Sequence, residues 1–207
     1  MGKVILLTGA PSTGKSTLRR NLVARIQGLT DFDYGELLRQ KKAREGTSIS
    51  YEQLRHQSAS VIQPADVASL DEALIDQVAK MRLSSHIIID SHAVTRESFG
   101  FRAVPFSNDQ LKRLQLDGVL VLRCPIDTVL GRIAVAPEGR REVSPDLAAE
   151  HQVLQECVGM IYAVICGCPI YILDVANLDE EGVAVRATEV LATMGVRSNC
   201  TGHSSQA

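Results

Sequence analysis

The chain has 207 residues, 45% of them hydrophobic and 22% charged, with a net charge of −2, the ordinary balance of a globular domain large enough to bury a core. It has no basic block to track a polynucleotide backbone, and four Tyr, four Phe and no Trp leave little for stacking bases. No apolar run reaches the length of a membrane span, so neither a polynucleotide nor a bilayer is the expected partner.

Met1-Gly2-Lys3 leads straight into the apolar run Val4-Ile5-Leu6-Leu7-Thr8, the composition of a buried parallel strand. No secretory leader fits there, so the chain is expected in the cytoplasm. The next residues, Gly9-Ala10-Pro11-Ser12-Thr13-Gly14-Lys15-Ser16-Thr17, follow the spacing G-x-x-x-x-G-K-[ST]. Leu18, Leu22, Val23 and Ile26 then fall on one helical face. Strand, glycine loop and helix in that order make a cradle for a di- or triphosphate. Glycines let backbone N–H groups turn inward, and the helix N-terminus adds its positive end. Within this loop Gly9, Pro11, Ser12, Thr13 and Gly14 shape the cradle. Lys15 bridges β- and γ-phosphates, Ser16 offers a hydroxyl to Mg²⁺, and Thr17 reaches an α-phosphate oxygen. The chain is therefore expected to bind a nucleoside triphosphate.

Leu29 to Asp33 is a weaker second strand, ending in acidic residues, followed by a helix to Arg44 with a basic face of Arg39, Lys41, Lys42 and Arg44. A polar helix is expected around Tyr51 to Ser58. Asp66 is a plausible cap for a long helix whose stripe is Val67, Leu70, Leu74, Val78 and Met81. His86-Ile87-Ile88-Ile89-Asp90 is the third strand, and it ends in Asp90-Ser91-His92, where a parallel sheet places chemistry. The following residues, through Ser107, read as a long loop, and Ser107-Asn108-Asp109-Gln110 has capping-box spacing for a short helix. Gly118 to Arg123 is a further buried strand, and Pro125 opens a helix containing Arg132. Residues 136–143 interrupt the apolar pattern with a charged, Gly/Pro-punctuated insert. Ser144 with Pro145 restarts a helix whose expected seam is Leu147, Leu154, Val158, Ile161 and Ile165. Ile170 to Leu173 is the last strand. The final helix carries Val183, Val190, Leu191 and Met194, and residues 197–207 read as a disordered tail. Five cysteines lie mostly inside apolar segments and are expected as reduced thiols; Cys166-Gly167-Cys168 lacks the spacing of a redox or metal motif.

Strands and helices alternate throughout, which predicts one α/β domain over residues 1–196. Its five-stranded parallel sheet is covered on both faces, with the strand before the loop near the middle.

These residues resemble the archaeal-type adenylate kinases and, more broadly, the P-loop nucleoside monophosphate kinases. The resemblance rests on the phosphate loop, Tyr34-Gly35 after the second strand, Asp90-Ser91-His92 after the third, a short arginine-bearing insert, and Glu150-His151-Gln152 in the helix after it. It implies a three-layer P-loop kinase fold with residues 136–143 as a lid, MgATP as donor and a nucleoside monophosphate as acceptor. On that reading Lys15 and Mg²⁺ serve the donor, and Asp90 holds the metal with Ser16. Arg132, Arg140 and Arg141 converge on the transferring phosphoryl group. Asp33, Tyr34 and Gly35 line the acceptor pocket, Arg55 takes the acceptor phosphate, and His92 orients a phosphate or water or fixes the loop. Glu150, His151 and Gln152 tie their helix to the core. The alternatives are a kinase for another small acceptor and an ATPase switch acting on a partner. Oligomeric state is not legible.

Overall fold

The structure is a computed structural model that describes residues 1–50, 53, 61–136 and 143–197. The helix expected near residues 51–58, most of the insert and nearly all of the tail lie outside the described residues. Five strands form one parallel sheet: β1 (Val4–Thr8), β2 (Leu29–Asp33), β3 (His86–Asp90), β6 (Gly118–Arg123) and β7 (Ile170–Asp174). Their order is β2-β3-β1-β6-β7, so the strand feeding the glycine loop is central, as expected. From β1 the chain runs to one side of the sheet through β2 and β3, then crosses back to β6 and β7. That reversal opens a crevice at the carboxyl end of β1.

Both faces of every central strand are apolar, which is what burial under two helical layers requires. On one face Ile5, Leu7, Ile88, Leu120 and Leu122 pack with Leu18 and Leu22 of α1 (Lys15–Arg25). Ala184, Ala187 and Leu191 of the last helix, α7 (Glu180–Thr193), join them. On the other face Val4, Leu6, Ile87, Ile89, Val119 and Val121 meet α3 (Pro64–Met81), α4 (Asn108–Leu114) and α6 (Pro145–Cys166). The remaining helices are α2 (Tyr34–Arg44), beside β2, and α5 (Ile126–Ala134), beside α6. No helix among the described residues is long and apolar enough to cross a membrane.

Three local expectations are corrected. Residues 93–107 are not a plain loop: β4 (Val94–Glu97) and β5 (Gly100–Ala103) pair antiparallel, Val94 with Ala103 and Glu97 with Gly100. The Ser98-Phe99 turn lacks the Asn-Gly type of dipeptide that marks a two-residue hairpin, and the left-handed residue comes after it, at Gly100 (φ 132°). Asp66 does not begin α3. Gln63 is the cap, Pro64 the first helical residue, and Asp66 returns its carboxylate to the Gln63 N–H at 2.9 Å. Finally, α6 is rotated relative to its expected seam. Its buried residues are Ala148, His151, Gln152, Gln155, Gly159, Tyr162 and Ala163, whereas Ile161 faces solvent. Gly159 is needed for this rotation, because a Cβ there would stand 3.2 Å from Val121 Cγ2.

Candidate functional site

The loop after β1 holds its shape through backbone conformations that few residues adopt. Gly9 has φ 145°, and a Cβ at that position would lie 2.7 Å from the carbonyl oxygen of Leu122. Gly14 (φ 102°) is the left-handed residue from which α1 starts. Ser12 is also left-handed, at φ 67°, a conformation costing about 1–2 kcal/mol for a residue with a Cβ. Two side-chain bonds brace the turn. Thr13 Oγ1 donates to Ala10 O at 2.9 Å, and Arg132, reaching over from α5, donates from NH1 to Ser12 O at 3.0 Å.

Lys15 is buried, and its Nζ donates to the carbonyls of Gly9 (2.5 Å) and Ala10 (2.9 Å). A phosphate oxygen offers an ammonium a stronger acceptor than a neutral carbonyl, so an anion in the loop competes for this group. Next to it, at the end of β3, is Asp90. Parallel pairing sets it beside Leu7 on one flank and Asp33 on the other. Asp90 is buried, and that burial pushes its carboxyl well above the usual range. Lys15 opposes the shift, the Asp33 charge adds to it, Arg19 opposes it and Asp31 adds again. Arg19 of α1 sits among these carboxylates, bonding Asp31 and, at 3.0 Å, Asp33, with its Nε 3.6 Å from Asp90.

A buried carboxylate held above its usual range, next to a hydroxyl-bearing helix start, is short of positive charge. Ser16 and Asp90 therefore suit Mg²⁺. Among the described residues there is no cluster of three or more His, Cys, Asp or Glu that could enclose a metal.

One cleft of about 640 Å³ runs from the loop past Asp90 to the β4–β5 hairpin. Residues 10–18 of the loop and α1 line it, with Asp33, Gly35, His92, Arg132, Ala136 and Val143. It thus gathers most of the expected residues, including both described ends of the insert; Arg55, Arg140 and Arg141 lie outside the described residues. Gly9 braces the loop from behind, against β6. Tyr34 turns away from the cleft. Its hydroxyl donates to Asp71 at 2.6 Å, and it borders a separate cavity of about 70 Å³ with Phe106 and Tyr162. Asp33 has a second role as the cap of α2, accepting from Glu36 N at 3.0 Å.

Of the trio in α6, Glu150 is exposed and ties nothing to the core. Gln152 grips Cys124 at both its N–H (2.9 Å) and its carbonyl (2.8 Å). His151 Nε2 carries its proton, because it bonds the Val94 carbonyl at 3.0 Å. Burial pushes the His151 pKa below its usual value, and the nearby Lys15 and Arg96 charges push it the same way.

Two residues escaped the sequence reading. Gln155 donates to Thr8 Oγ1 at 2.6 Å and accepts from Val94 N at 3.2 Å, binding the sheet and the hairpin to one helix. Arg96, on β4, lines the cleft, and its NH1 is buried with no hydrogen-bond partner among the described residues. A buried donor left unpaired costs about 1–3 kcal/mol, so Arg96 is poised for an anion. The signal that could have found it was alternation: Val94 and Arg96 share one side of a strand that was read as loop.

A family model described as an AAA domain matches residues 8–150. An adenylate kinase of Methanoculleus marisnigri is 26% identical over 88% of this chain and 95% of its own length. One from Methanopyrus kandleri is 25% identical over 84% and 90%. Solved structures with the same fold include an unliganded sugar kinase from a Janibacter species, with TM-score 0.51 and 14% identity over 93% of this chain and 95% of that one. The tunicamycin resistance protein of Deinococcus radiodurans has TM-score 0.52 and 16% identity over 95% and 98%.

Proposed function

We propose that this chain, which belongs to the AAA-domain family, transfers the γ-phosphoryl group of ATP to a nucleoside monophosphate, with AMP as the acceptor and two ADP as products. The observation that carries this reading is the continuous cleft with a cation at each end: Lys15 in the loop and Arg96 on the hairpin, whose buried NH1 has no hydrogen-bond partner among the described residues. The adenylate kinases matched at low identity along nearly their whole length support the choice of acceptor.

In this mechanism the chain's residues position and neutralise; they form no covalent intermediate. Lys15 exchanges its two carbonyl partners for β- and γ-phosphate oxygens. Ser16 and Asp90 would hold Mg²⁺, which when bound neutralises charge on the β- and γ-phosphates. Arg96 holds the acceptor's phosphate so that one of its oxygens faces the γ-phosphorus. That oxygen attacks in line, its bond to phosphorus forming as the β,γ-bridging bond breaks and ADP leaves. The attacking phosphate is largely dianionic at neutral pH, its second pKa being near 6, so no general base is needed. Arg132, already at the loop, is within reach of the transferring group, and Arg140 and Arg141 would join it if the insert closes and excludes water.

The test is ADP formation from ATP with AMP, CMP, UMP, GMP, a sugar panel or no acceptor. The expected result is AMP-dependent turnover yielding two ADP per AMP consumed. ADP release that ignores every monophosphate would leave an ATPase switch, and preference for a sugar would move the acceptor class.

A further inference from the structure

His151 is a buried titratable side chain for which the transfer step above has no use. It is 6% exposed, and its ring borders the cleft together with Lys15 and Arg96. Its position is fixed from several sides. Val94 of β4 accepts from Nε2 at 3.0 Å, and the Phe101 ring of β5 meets it edge-on, 5.1 Å between centroids. Phe101 is also the register partner of Arg96, so the arginine stands beside the aromatic ring that packs on the histidine. One turn along α6, Gln155 ties the same helix to Thr8, where β1 ends and the phosphate loop begins. The ring is thus held on the wall of the cleft by contacts to both the hairpin and the loop strand. A carbonyl can only accept, so Nε2 carries the one proton of the neutral ring and Nδ1 is an acceptor. Among the described residues the bond to Val94 is the ring's only hydrogen bond.

We propose that His151 becomes a third phosphate contact when the cleft fills: Nδ1 takes up a proton from solvent and donates it in a hydrogen bond to a phosphate oxygen. The charged groups that face the ring are Lys15 of α1 and Arg96 of β4. From β5 comes the uncharged Phe101 ring, and Glu150, its neighbour on α6, is exposed. Cys124, which follows β6 and bonds the next residue, Gln152, is kept a neutral thiol by burial. Burial and the two cations together hold the ring neutral at ordinary pH. A phosphate that pairs with Lys15 or Arg96 removes the repulsion those cations exert and puts negative charge in its place. The same surroundings that exclude a proton from Nδ1 then favour one. A charge-assisted bond from the imidazolium would add to those of Lys15 and Arg96, where the phosphates of donor and acceptor repel each other. The inference rests on the phosphoryl-transfer reading only in placing phosphate groups in this cleft.

Nitrogen-15 shifts of the labelled imidazole read the proton directly, at about pH 7.5. The His151 signal is assigned among the five histidines by its contact with the Phe101 ring, and again by its loss in His151→Gln. The probes are inorganic tripolyphosphate, which needs no base recognition, and diadenosine pentaphosphate. One protonated nitrogen is expected in the chain alone and two with either probe bound. Proton uptake on binding also links affinity to pH. From about pH 8 to about pH 6.5 the wild type should gain about fivefold in affinity for diadenosine pentaphosphate relative to His151→Gln. A histidine that only ties the hairpin to α6 would leave that ratio flat, whatever the variant does to stability. A ring that keeps a single proton with both probes bound, or a flat ratio, would overturn the proposal. The two readings fail separately. Tripolyphosphate that charges the ring, in a chain with no AMP-dependent turnover, would sustain this inference and remove the nucleoside monophosphate; AMP-dependent turnover with a neutral ring would do the reverse.

Discussion

Replacing Arg96 by Gln separates catalysis from folding. The Arg96 NH1 is buried and has no hydrogen-bond partner among the described residues, so the guanidinium gives the fold little in return for its desolvation. A buried donor without a partner costs about 1–3 kcal/mol, and a hydrogen bond to a charged group contributes about 1.5–3 kcal/mol. Both figures belong to the same group in two states. Arg96→Gln should therefore leave unfolding free energy unchanged or raise it by about 1 kcal/mol, because the shorter amide shields less but strands less charge. The same change should raise the KM for AMP by about 10- to 150-fold, the equivalent of one lost charge-assisted bond. The KM for ATP, bound at the other end of the cleft, should stay within about threefold. Initial rates of ADP formation with AMP varied at saturating ATP read the first quantity, and urea midpoints read the second. A parallel rise in both KM values, or a stability loss beyond about 2 kcal/mol, would falsify the anion role and make Arg96 a structural arginine of the hairpin.

Ser12→Gly tests the strain in the loop. It removes the left-handed penalty of about 1–2 kcal/mol but adds freedom to the unfolded chain, so a net gain of about 0.5–1 kcal/mol is expected in urea unfolding; a net loss would mean that contacts of the serine outweigh the strain. His151 gives a pH signature. Its folded pKa lies below the ordinary 6.5, so the unfolded chain takes up the proton first and stability falls as pH drops through 6.5 towards the folded value. The loss between pH 7.5 and 5.5 should shrink in His151→Gln without vanishing, since His86 is shifted the same way. An unchanged slope in the variant would refute the assignment.

The sequence was most legible where backbone geometry dictates residue type. Glycines at φ 145° and 102°, a lysine and two hydroxyls leave a pattern few other structures need, and alternation of buried strands with helices foretold the sheet and the central place of the strand before the loop. Legibility failed where one pattern serves two physical ends. Residues 157–165 of α6 are apolar on every side, so periodicity could not say which side meets the sheet. The inward face was instead chosen by Gly159, which permits close approach, and by the amides of Gln152 and Gln155, whose bonds to Cys124, Thr8 and Val94 replace apolar contact. Tyr34 was placed in the acceptor pocket because it follows a strand end. Its partner, Asp71, stands on the buried stripe of α3, where a carboxylate draws no attention until the phenol beside it is seen.

The two ends of the cleft are built differently, and this decides what each can be made to bind. The donor end is backbone: loop amides, glycines at positive φ, and a lysine that bonds carbonyls of the same loop. Few substitutions are compatible with it, so its ligand can be read from a motif. The hairpin end, the proposed acceptor side, is side chains on a two-stranded hairpin, held to α6 at Val94, whose N–H bonds Gln155 and whose carbonyl bonds His151, and by the Phe101 ring against that of His151. Beyond Val94 the hairpin's cleft-facing Arg96 can change without disturbing the sheet. A site of this construction is free to differ while the loop stays as it is. One phosphate loop can therefore serve kinases as different in substrate as those that share this fold, and the acceptor must be tested rather than inferred from the loop.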